Sequence, residues 1–172
     1  MTSVADIPTA FTPPGGYGDH ALGRYDRAMP PPVLAGCDDP LVAGAPDLRG
    51  RWRAIDVRSN GELVPVDGGS MVSGMWHHTE RIEQAGARAV ITSGGVIHDF
   101  AACDGTEEHG VHDVMAADFT TPIVVAASYE DDALVLRPRE VPGVEVKRWR
   151  DGDHLVWEYS VFATVRLERI DD

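Results

Sequence analysis

Turn residues divide the chain from Leu48 onward into short β-rich runs, at a spacing of about 8–12 positions that is typical of all-β domains. The turns include Ala85-Gly86-Ala87, Asp104-Gly105 and Asp151-Gly152-Asp153, whose residue types accept hairpin geometry. Strands that follow one another through tight turns form a meander, and closing a meander into a cylinder removes its exposed edges. The pattern therefore predicts an all-β fold, an up-and-down antiparallel β-barrel of about nine or ten strands. The predicted strands lie at approximately 50–58, 75–84, 87–93, 95–102, 110–116, 121–129, 133–137, 143–150 and 154–170.

The first part of the chain has a different composition, rich in proline and glycine and without the apolar periodicity of a helix or a strand. The sequence therefore predicts two parts, an extended N-terminal arm over residues 1–47 and a β-barrel domain over residues 48–172. The arm also contains apolar residues such as Phe11 and Tyr17. Two alternatives follow: a flexible leader, or an arm that wraps the domain or a neighbouring subunit and so supports a homo-oligomer.

The charge of the chain narrows the choice of partner. The formal net charge is −13 and the sequence pI is near 4.8, so a basic surface for nucleic acid or an anionic membrane is not expected. No run approaches the roughly 18 apolar residues of a spanning helix, and no secretory signal is recognisable, so the acidic protein is expected to be cytoplasmic. Cys37 and Cys103 are expected to be free thiols. A small molecule or another protein remains as the partner.

The two ends of the predicted barrel carry short motifs. Leu48-Arg49-Gly50-Arg51-Trp52 contains a Gly-x-Trp sequence at the start of the first strand, and the last strands, DGDHLVWEYSVFATVRLERI, contain arginines near their end. In these motifs the chain resembles the calycin superfamily of lipocalins and fatty-acid-binding proteins, over about residues 48–170. The resemblance implies a ligand-binding barrel in which Trp52 plugs the closed end and a structural arginine packs across it. Arg166 is the better match for this arginine, and Arg169 is the alternative.

The chain also departs from the fatty-acid-binding branch. Residues 59–74 are too short and too rich in glycine for that branch's two-helix lid, so the lid is predicted to be absent. Arg166-Leu167-Glu168 has an acid where that branch has the tyrosine of an Arg-x-Tyr pair that holds a carboxylate. A lidless ten-stranded barrel is similar to the nitrobindin-type haem proteins as well. No cofactor is predicted from the residues themselves, and haem is the one alternative.

Alternation along the strands indicates which side chains face the interior. In the last run the odd-numbered positions are the more apolar, which predicts that Trp157 and Tyr159 line the cavity and that Arg166 points outward. The second run is polar on both faces. Its two candidate sets are Trp76, His78, Glu80 and Ile82, or Met75, His77, Thr79 and Arg81, and the first is preferred for its larger apolar pair.

A near repeat lies in the middle of the chain, Gly95-Val96-Ile97-His98-Asp99-Phe100 and Gly110-Val111-His112-Asp113-Val114. A turn at Asp104-Gly105-Thr106 predicts a hairpin that sets His98 and Asp99 opposite Asp113 and His112. Opposed pairs of this kind stabilise a hairpin by about 0.2–1 kcal/mol, which is a sufficient structural reason for the repeat. The functional alternative is that both histidines point inward and act as a general base or as a ligand to a metal or to haem iron.

Together these features predict a protein that binds a small, largely apolar molecule inside the barrel. The predicted binding residues are Trp76, His78, Glu80, His98, His112, Trp157 and Tyr159. The alternative is a cavity enzyme, an isomerase, cyclase or lyase acting on a hydrophobic metabolite, in which His98, Asp99, His112 and Asp113 move a proton. The histidines and cysteines have no standard ligand spacing, so no metal site is predicted.

Overall fold

The computed structural model describes residues 2–18 and 28–171. Besides one four-residue α-helix, α1 (Met71–Gly74), and 3-10 turns at Val4–Asp6 and Met75–His77, its regular elements are strands. The strands are β1 (Gly50–Ser59), β2 (Glu62–Leu63), β3 (Thr79–Ala85), β4 (Arg88–Ser93), β5 (Val96–Phe100), β6 (Val111–Val114), β7 (Pro122–Glu130), β8 (Ala133–Pro138), β9 (Val146–Asp151), β10 (His154–Tyr159) and β11 (Ala163–Ile170).

The strands form one antiparallel sheet that curls into a nearly closed barrel. Their order is β5-β4-β3-β1-β11-β10-β9-β8-β7-β6, and the short β2 pairs with β1. β1 pairs with both β3 and β11, which joins the beginning of the barrel to its end. The predicted all-β up-and-down antiparallel barrel is therefore confirmed.

The last predicted strand, 154–170, is two strands in the structure. β10 and β11 are joined by a turn at Ser160-Val161-Phe162, and Val161 is 82% exposed at its tip. Because Tyr159 pairs with Ala163, the turn preserves the alternation, and the odd-numbered residues on both sides of it face inward as predicted.

The predicted hairpin between the two halves of the repeat is wrong. Within the described part of the chain, β5 and β6 share no ladder of hydrogen bonds and are the two ends of the sheet. They come together because the barrel closes, and single contacts such as Ala102 N to His109 O, 3.3 Å, connect the segments that follow and precede them. We call this junction of β5 and β6 the seam.

One end of the barrel interior is filled by the residues of the Gly-x-Trp motif. Trp52 is fully buried, and its Nε1 donates to the carbonyl of Leu48 at 3.0 Å. Gly50 has φ +145°, which side chains with a Cβ rarely adopt, and an added Cβ would lie 2.3 Å from Nη1 of Arg169. The motif therefore needs glycine because the arginine passes over this backbone.

The arginine that packs across Trp52 is Arg169, with its Cζ 4.6 Å from the ring centroid, and Arg150 lies at 5.3 Å. The preferred prediction of Arg166 is wrong, because its position in β11 has the outward parity and its Nη2 donates to Asp151 at 2.8 Å on the surface. Arg169 has the inward parity of Leu167 and stands opposite Trp52 in the β1–β11 ladder, so its side chain reaches the ring.

The arm residues that the structure describes pack on the outer face of β3, β4 and β5. Here Tyr17 and Leu34 are buried in an outer cluster with Ala85, Val90 and Ile97 of the sheet. These strands are therefore covered on both faces, which explains why β4 is nearly continuously buried rather than alternating. Cys37 packs on this outer cluster and Cys103 in the inner core, and within the described residues both are free thiols.

Residues 59–74, all of them described, form β2 and the single turn of α1 rather than a two-helix lid. Ser70 caps α1 through a hydrogen bond from the Ser73 backbone to its hydroxyl. Across residues 2–18 and 28–171, no helix has the length and apolar character to cross a bilayer.

Candidate functional site

A buried ionic cluster occupies the barrel interior, and its carboxylate, Glu80, stands opposite Trp52 in the β1–β3 ladder. Arg148 donates two hydrogen bonds to Glu80 of β3. Its Nε donates to Oε2 at 2.8 Å, and its Nη2 donates to Oε1 at 3.2 Å. Nε2 of His78 lies 2.6 Å from Oε1 of Glu80. Alternation places all three side chains inside, since Glu80 has the parity of the buried Ile82, and Arg148 stands opposite Trp157 in the β9–β10 ladder.

The cluster keeps Glu80 ionised in spite of its position. Burial of the carboxyl group by itself raises the pKa, but the charge of Arg148 and the hydrogen bond from His78 outweigh it and lower the pKa of Glu80 from 4.5 to about 2. Glu80 is therefore an ionised carboxylate inside the barrel. Both of its oxygens already have protein partners, Arg148 and His78.

Aromatic rings form one wall of the cluster. The His78 ring stacks on Trp157 with centroids 4.2 Å apart, and Cζ of Arg148 lies 5.4 Å from the Trp157 ring. Tyr159, half-buried on the same strand, meets Trp157 edge-on at 6.2 Å. Trp157 thus lies next to the ion pair, and Tyr159 lies beside Trp157.

Two donors of this cluster have no acceptor among the residues that the structure describes. They are Nη1 of Arg148 and Nε1 of Trp157, two residues that are 4% and 7% exposed, respectively. A buried N–H group without a partner costs free energy comparable to a lost hydrogen bond, so most such groups in folded proteins are paired. An added acceptor atom near these two donors would offset this cost.

His98 of β5 also points inward, but it interacts with the seam rather than with the cluster. Its Nε2 lies 3.1 Å from the carbonyl oxygen of Val114, the last residue of β6. Burial lowers the pKa of His98, while the hydrogen bond with Val114 and the charge of Asp113 act in the opposite direction. The neutral imidazole therefore bridges the two end strands.

The predicted pairs across the hairpin, His98 with Asp113 and Asp99 with His112, do not form, and each of the four side chains has another partner. Adjacent residues of a strand face opposite sides, so Asp99 points outward and receives Nη2 and Nε of Arg88 at 2.6 and 2.9 Å. His112 is exposed and contacts the carbonyl of Glu107 at 2.8 Å, which removes it from the predicted binding site. Asp113 accepts the backbone N–H of Thr12 at 3.0 Å.

The remaining predicted residue, Trp76, lies in the 3-10 turn before β3 rather than in the strand. It is half-buried against the inner core, and its Nε1 donates to the carbonyl of Val64 at 2.8 Å. Trp76 thereby fixes the segment that follows β2 against the barrel, next to the strand that carries His78 and Glu80.

Arg148 is the site residue that the sequence did not reveal. The run at 143–150 contains Val146, Arg148 and Arg150 on one face and Lys147 and Trp149 on the other, so apolar residues occur on both faces. A signal was nevertheless present, because an inward Glu80 requires a buried cation as partner.

Open cavities lie on the outer surface. One of about 530 Å³ crosses the outside of β7 to β10, between Glu130, Arg137 and Trp149. Another, of about 200 Å³, lies at the seam between Phe11, Asp99 and His112. These outer cavities are separated from the ionic cluster by the barrel wall.

Metal-binding groups are not assembled in the described residues, where no cluster of three or more His, Cys, Asp or Glu side chains has the necessary geometry. The two inward histidines direct Nε2 at protein oxygens, His78 at Glu80 and His98 at Val114. A haem iron would have to displace one of these contacts to gain a histidine ligand through that nitrogen.

Comparison with known proteins supports the fold without indicating a sequence family. No family model matches the sequence, and no curated protein matches it either. Among solved structures, human cRBP IV superimposes with a TM-score of 0.51 at 15% sequence identity, covering 72% of this chain and 98% of that one. At this identity the likeness concerns the architecture alone. The chain therefore shares the antiparallel β-barrel fold of that protein.

Proposed function

We propose that the barrel binds a small, largely apolar molecule that carries one oxygen able to accept hydrogen bonds. The observation that carries this proposal is the pair of buried donors, Nη1 of Arg148 and Nε1 of Trp157, that have no acceptor in the described part of the chain. One ligand oxygen between them would offset the cost of burying both.

The surroundings of the two donors favour an apolar body for this ligand. Leu134 and Leu136 of β8 and Val146 of β9 face inward beside Arg148, and Tyr159 continues the wall beyond Trp157. Apolar walls with a few polar groups at fixed positions are the usual composition of small-molecule sites. Since Glu80 already neutralises the charge of Arg148, the ligand oxygen can be a neutral carbonyl or hydroxyl.

The proposal is tested with Prodan, a fluorescent naphthalene ketone, and with its parent dimethylaminonaphthalene, which lacks the carbonyl group. Trp157→Phe keeps the aromatic wall and removes Nε1–H, so it should weaken Prodan binding about fivefold and leave the parent unaffected. The matched control is Trp149→Phe, because Trp149 lines the outer cavity on the same sheet. Failure of the wild type to bind Prodan, or an equal loss for both dyes, contradicts the proposal.

The contact between His78 and Glu80 favours a second candidate, acid–base catalysis on a hydrophobic metabolite in the same space, as an isomerase, cyclase or lyase. A carboxylate 2.6 Å from an imidazole fixes the orientation of the ring, which suits a group that transfers protons. His78 and Glu80 replace the four residues that the sequence predicted for this role.

This second candidate is tested by incubating the protein with a lipophilic metabolite extract in deuterium oxide. Proton transfer at carbon would appear in mass spectra as deuterium incorporated into one compound, and His78→Gln should abolish the incorporation. Absence of incorporation with the wild-type protein rejects the enzyme and leaves ligand binding as the function.

A further inference from the structure

We propose that residues 10–17, which we call the strap, lock the seam between β5 and β6, and that release of the strap admits ligands to the barrel interior. The admission step rests on the function proposed above, whereas the locking of the seam does not. The proposal follows from where the strap crosses the barrel and from what holds it there.

The seam is the weakest line in the barrel wall. Each pair of neighbours from β5 round to β6 is joined by a ladder of hydrogen bonds, but for the described residues no ladder joins β5 to β6. The side chain of His98 supplies one contact across the seam, to the carbonyl of Val114. Parting the wall here therefore breaks fewer backbone hydrogen bonds than parting it between any other neighbouring strands.

The strap makes hydrogen bonds to both sides of the seam. On the β5 side, the N–H of Ala10 donates to Oδ2 of Asp99 at 2.9 Å, and Oγ1 of Thr12 accepts the N–H of Ile97 at 3.0 Å. On the β6 side, the N–H of Thr12 donates to Oδ2 of Asp113 at 3.0 Å. Thr12 thus holds the two end strands together through one residue.

The far end of the strap crosses the seam again. The N–H of Tyr17 donates to the carbonyl of Gly95, in the turn before β5, at 2.9 Å. Gly16, with φ +82°, packs against the ring of Phe119 in the loop after β6, where an added Cβ would lie 2.8 Å from the ring and 3.0 Å from the oxygen of Gly95. The loops on both sides of the seam therefore contact the strap at this position.

A firm anchor precedes the strap. The buried guanidinium of Arg88 donates to the carbonyls of Val4, Ile7 and Pro8 at 2.7–3.1 Å and is paired with Asp99. Residues 4–8 thus remain attached to the barrel when the strap lifts. The strap is held by a few hydrogen bonds at the partly buried surface and, at its far end, by Tyr17 in the outer cluster. Short segments between two such anchors can open locally without global unfolding.

In this arrangement Asp99 and Asp113 serve as the hydrogen-bond acceptors for the strap. Each is the aspartate of one half of the His-Asp repeat, and each accepts a backbone N–H of the strap. The repeat therefore presents one acceptor on each side of the seam, two residues apart along the strap.

The test measures the rates of Prodan binding by stopped-flow fluorescence in the full-length protein. Thr12→Ala removes the hydroxyl that accepts the Ile97 amide, and Thr12→Ser is the matched control that keeps it. Because the strap does not contact the proposed site, loosening it should raise the association and dissociation rates together, on the order of fivefold, and leave Kd unchanged. Gly16→Ala, which pushes the strap off Phe119 and Gly95, should act in the same direction.

Hydrogen exchange provides a readout that needs no ligand. Amides of residues 110–116 and the Tyr17 amide should exchange faster in Thr12→Ala than in Thr12→Ser, since both report an open seam. Unchanged exchange in both Thr12→Ala and Gly16→Ala overturns the locking of the seam.

Two further results separate this proposal from the binding function. If the wild type does not bind Prodan, the binding function fails, and exchange alone decides whether the strap locks the seam. If Prodan binds but its rates respond to Phe162→Ala, in the exposed β10–β11 turn, and not to the strap variants, entry is beside that turn and the proposed gate is wrong.

Discussion

Glu80 and Arg148 lie 68 residues apart in the sequence and form a two-pronged ion pair inside the barrel, with Nε to Oε2 at 2.8 Å and Nη2 to Oε1 at 3.2 Å. Their strands, β3 and β9, are not neighbours in the sheet. The pair therefore braces one wall of the barrel against another across the interior, and it directs the remaining Nη1 donor of Arg148 away from Glu80.

We expect the stability conferred by this pair to disappear in acid. The folded-state pKa of Glu80 is lowered to about 2, although burial alone would raise it, because Arg148 and His78 stabilise the carboxylate. Since the unfolded value is 4.5, the contribution is fully present above that pH and is lost as the pH falls toward about 2. Urea unfolding at a series of pH values should show a steeper acid decline for wild type than for the double variant Glu80→Gln/Arg148→Met.

Removing one partner of the pair should be worse than removing both. Glu80→Gln leaves the Arg148 charge buried without a counter-charge, and such changes cost about 3–5 kcal/mol of unfolding free energy. Adding Arg148→Met removes the stranded charge and should recover a large part of this loss. Denaturant unfolding at neutral pH measures all three proteins, and a double variant no more stable than the single one would contradict the interpretation.

The strand pattern was readable from the sequence because alternation is a local signal. It placed Glu80 and Trp157 inside the barrel and set the odd-numbered residues of the last strands toward the core. Arg148 was missed because its partner lies on a distant strand and because Trp149, which is more apolar, occupies the opposite face of β9. Local periodicity carries no information about which buried charges will meet.

The hairpin predicted from the repeat around His98 and His112 is wrong for a similar reason. Two similar phrases on either side of a turn favour a hairpin, but the long-range closure of the barrel makes these segments the two ends of the sheet instead. Asp99 and Asp113 instead accept the backbone N–H groups of Ala10 and Thr12, 89 and 101 residues away, and Asp99 is also paired with Arg88. Nothing in the composition of the arm marks those amides as partners.

We expect the two C-terminal arginines to differ in their contribution to stability. Arg169 covers the Trp52 ring at 4.6 Å and donates to the carbonyl of Arg49 at 2.6 Å, so Arg169→Ala should lose about 1 kcal/mol, or about 2–4 °C in Tm. Arg166→Ala removes an exposed ion pair with Asp151 and should change Tm by less than that. Thermal unfolding of the two variants side by side makes the comparison, and equal losses would contradict the assignment of Arg169.

The seam histidine should make stability depend on pH in a higher range than Glu80 does. Burial lowers the pKa of His98 below 6.5, so the unfolded chain takes up this proton more readily than the folded one. The stability associated with neutral His98 is therefore present above about pH 6.5 and declines as the pH falls, by at most about 1.4 kcal/mol per pH unit.

His98→Gln keeps a donor for the Val114 carbonyl and removes the titrating group, so its unfolding free energy should fall less than that of wild type between about pH 7.5 and about pH 5.5. His112→Gln is the matched control, because it removes a histidine from the neighbouring strand at an exposed position. If His98→Gln and His112→Gln flatten the pH dependence equally, the burial of His98 at the seam is not its cause.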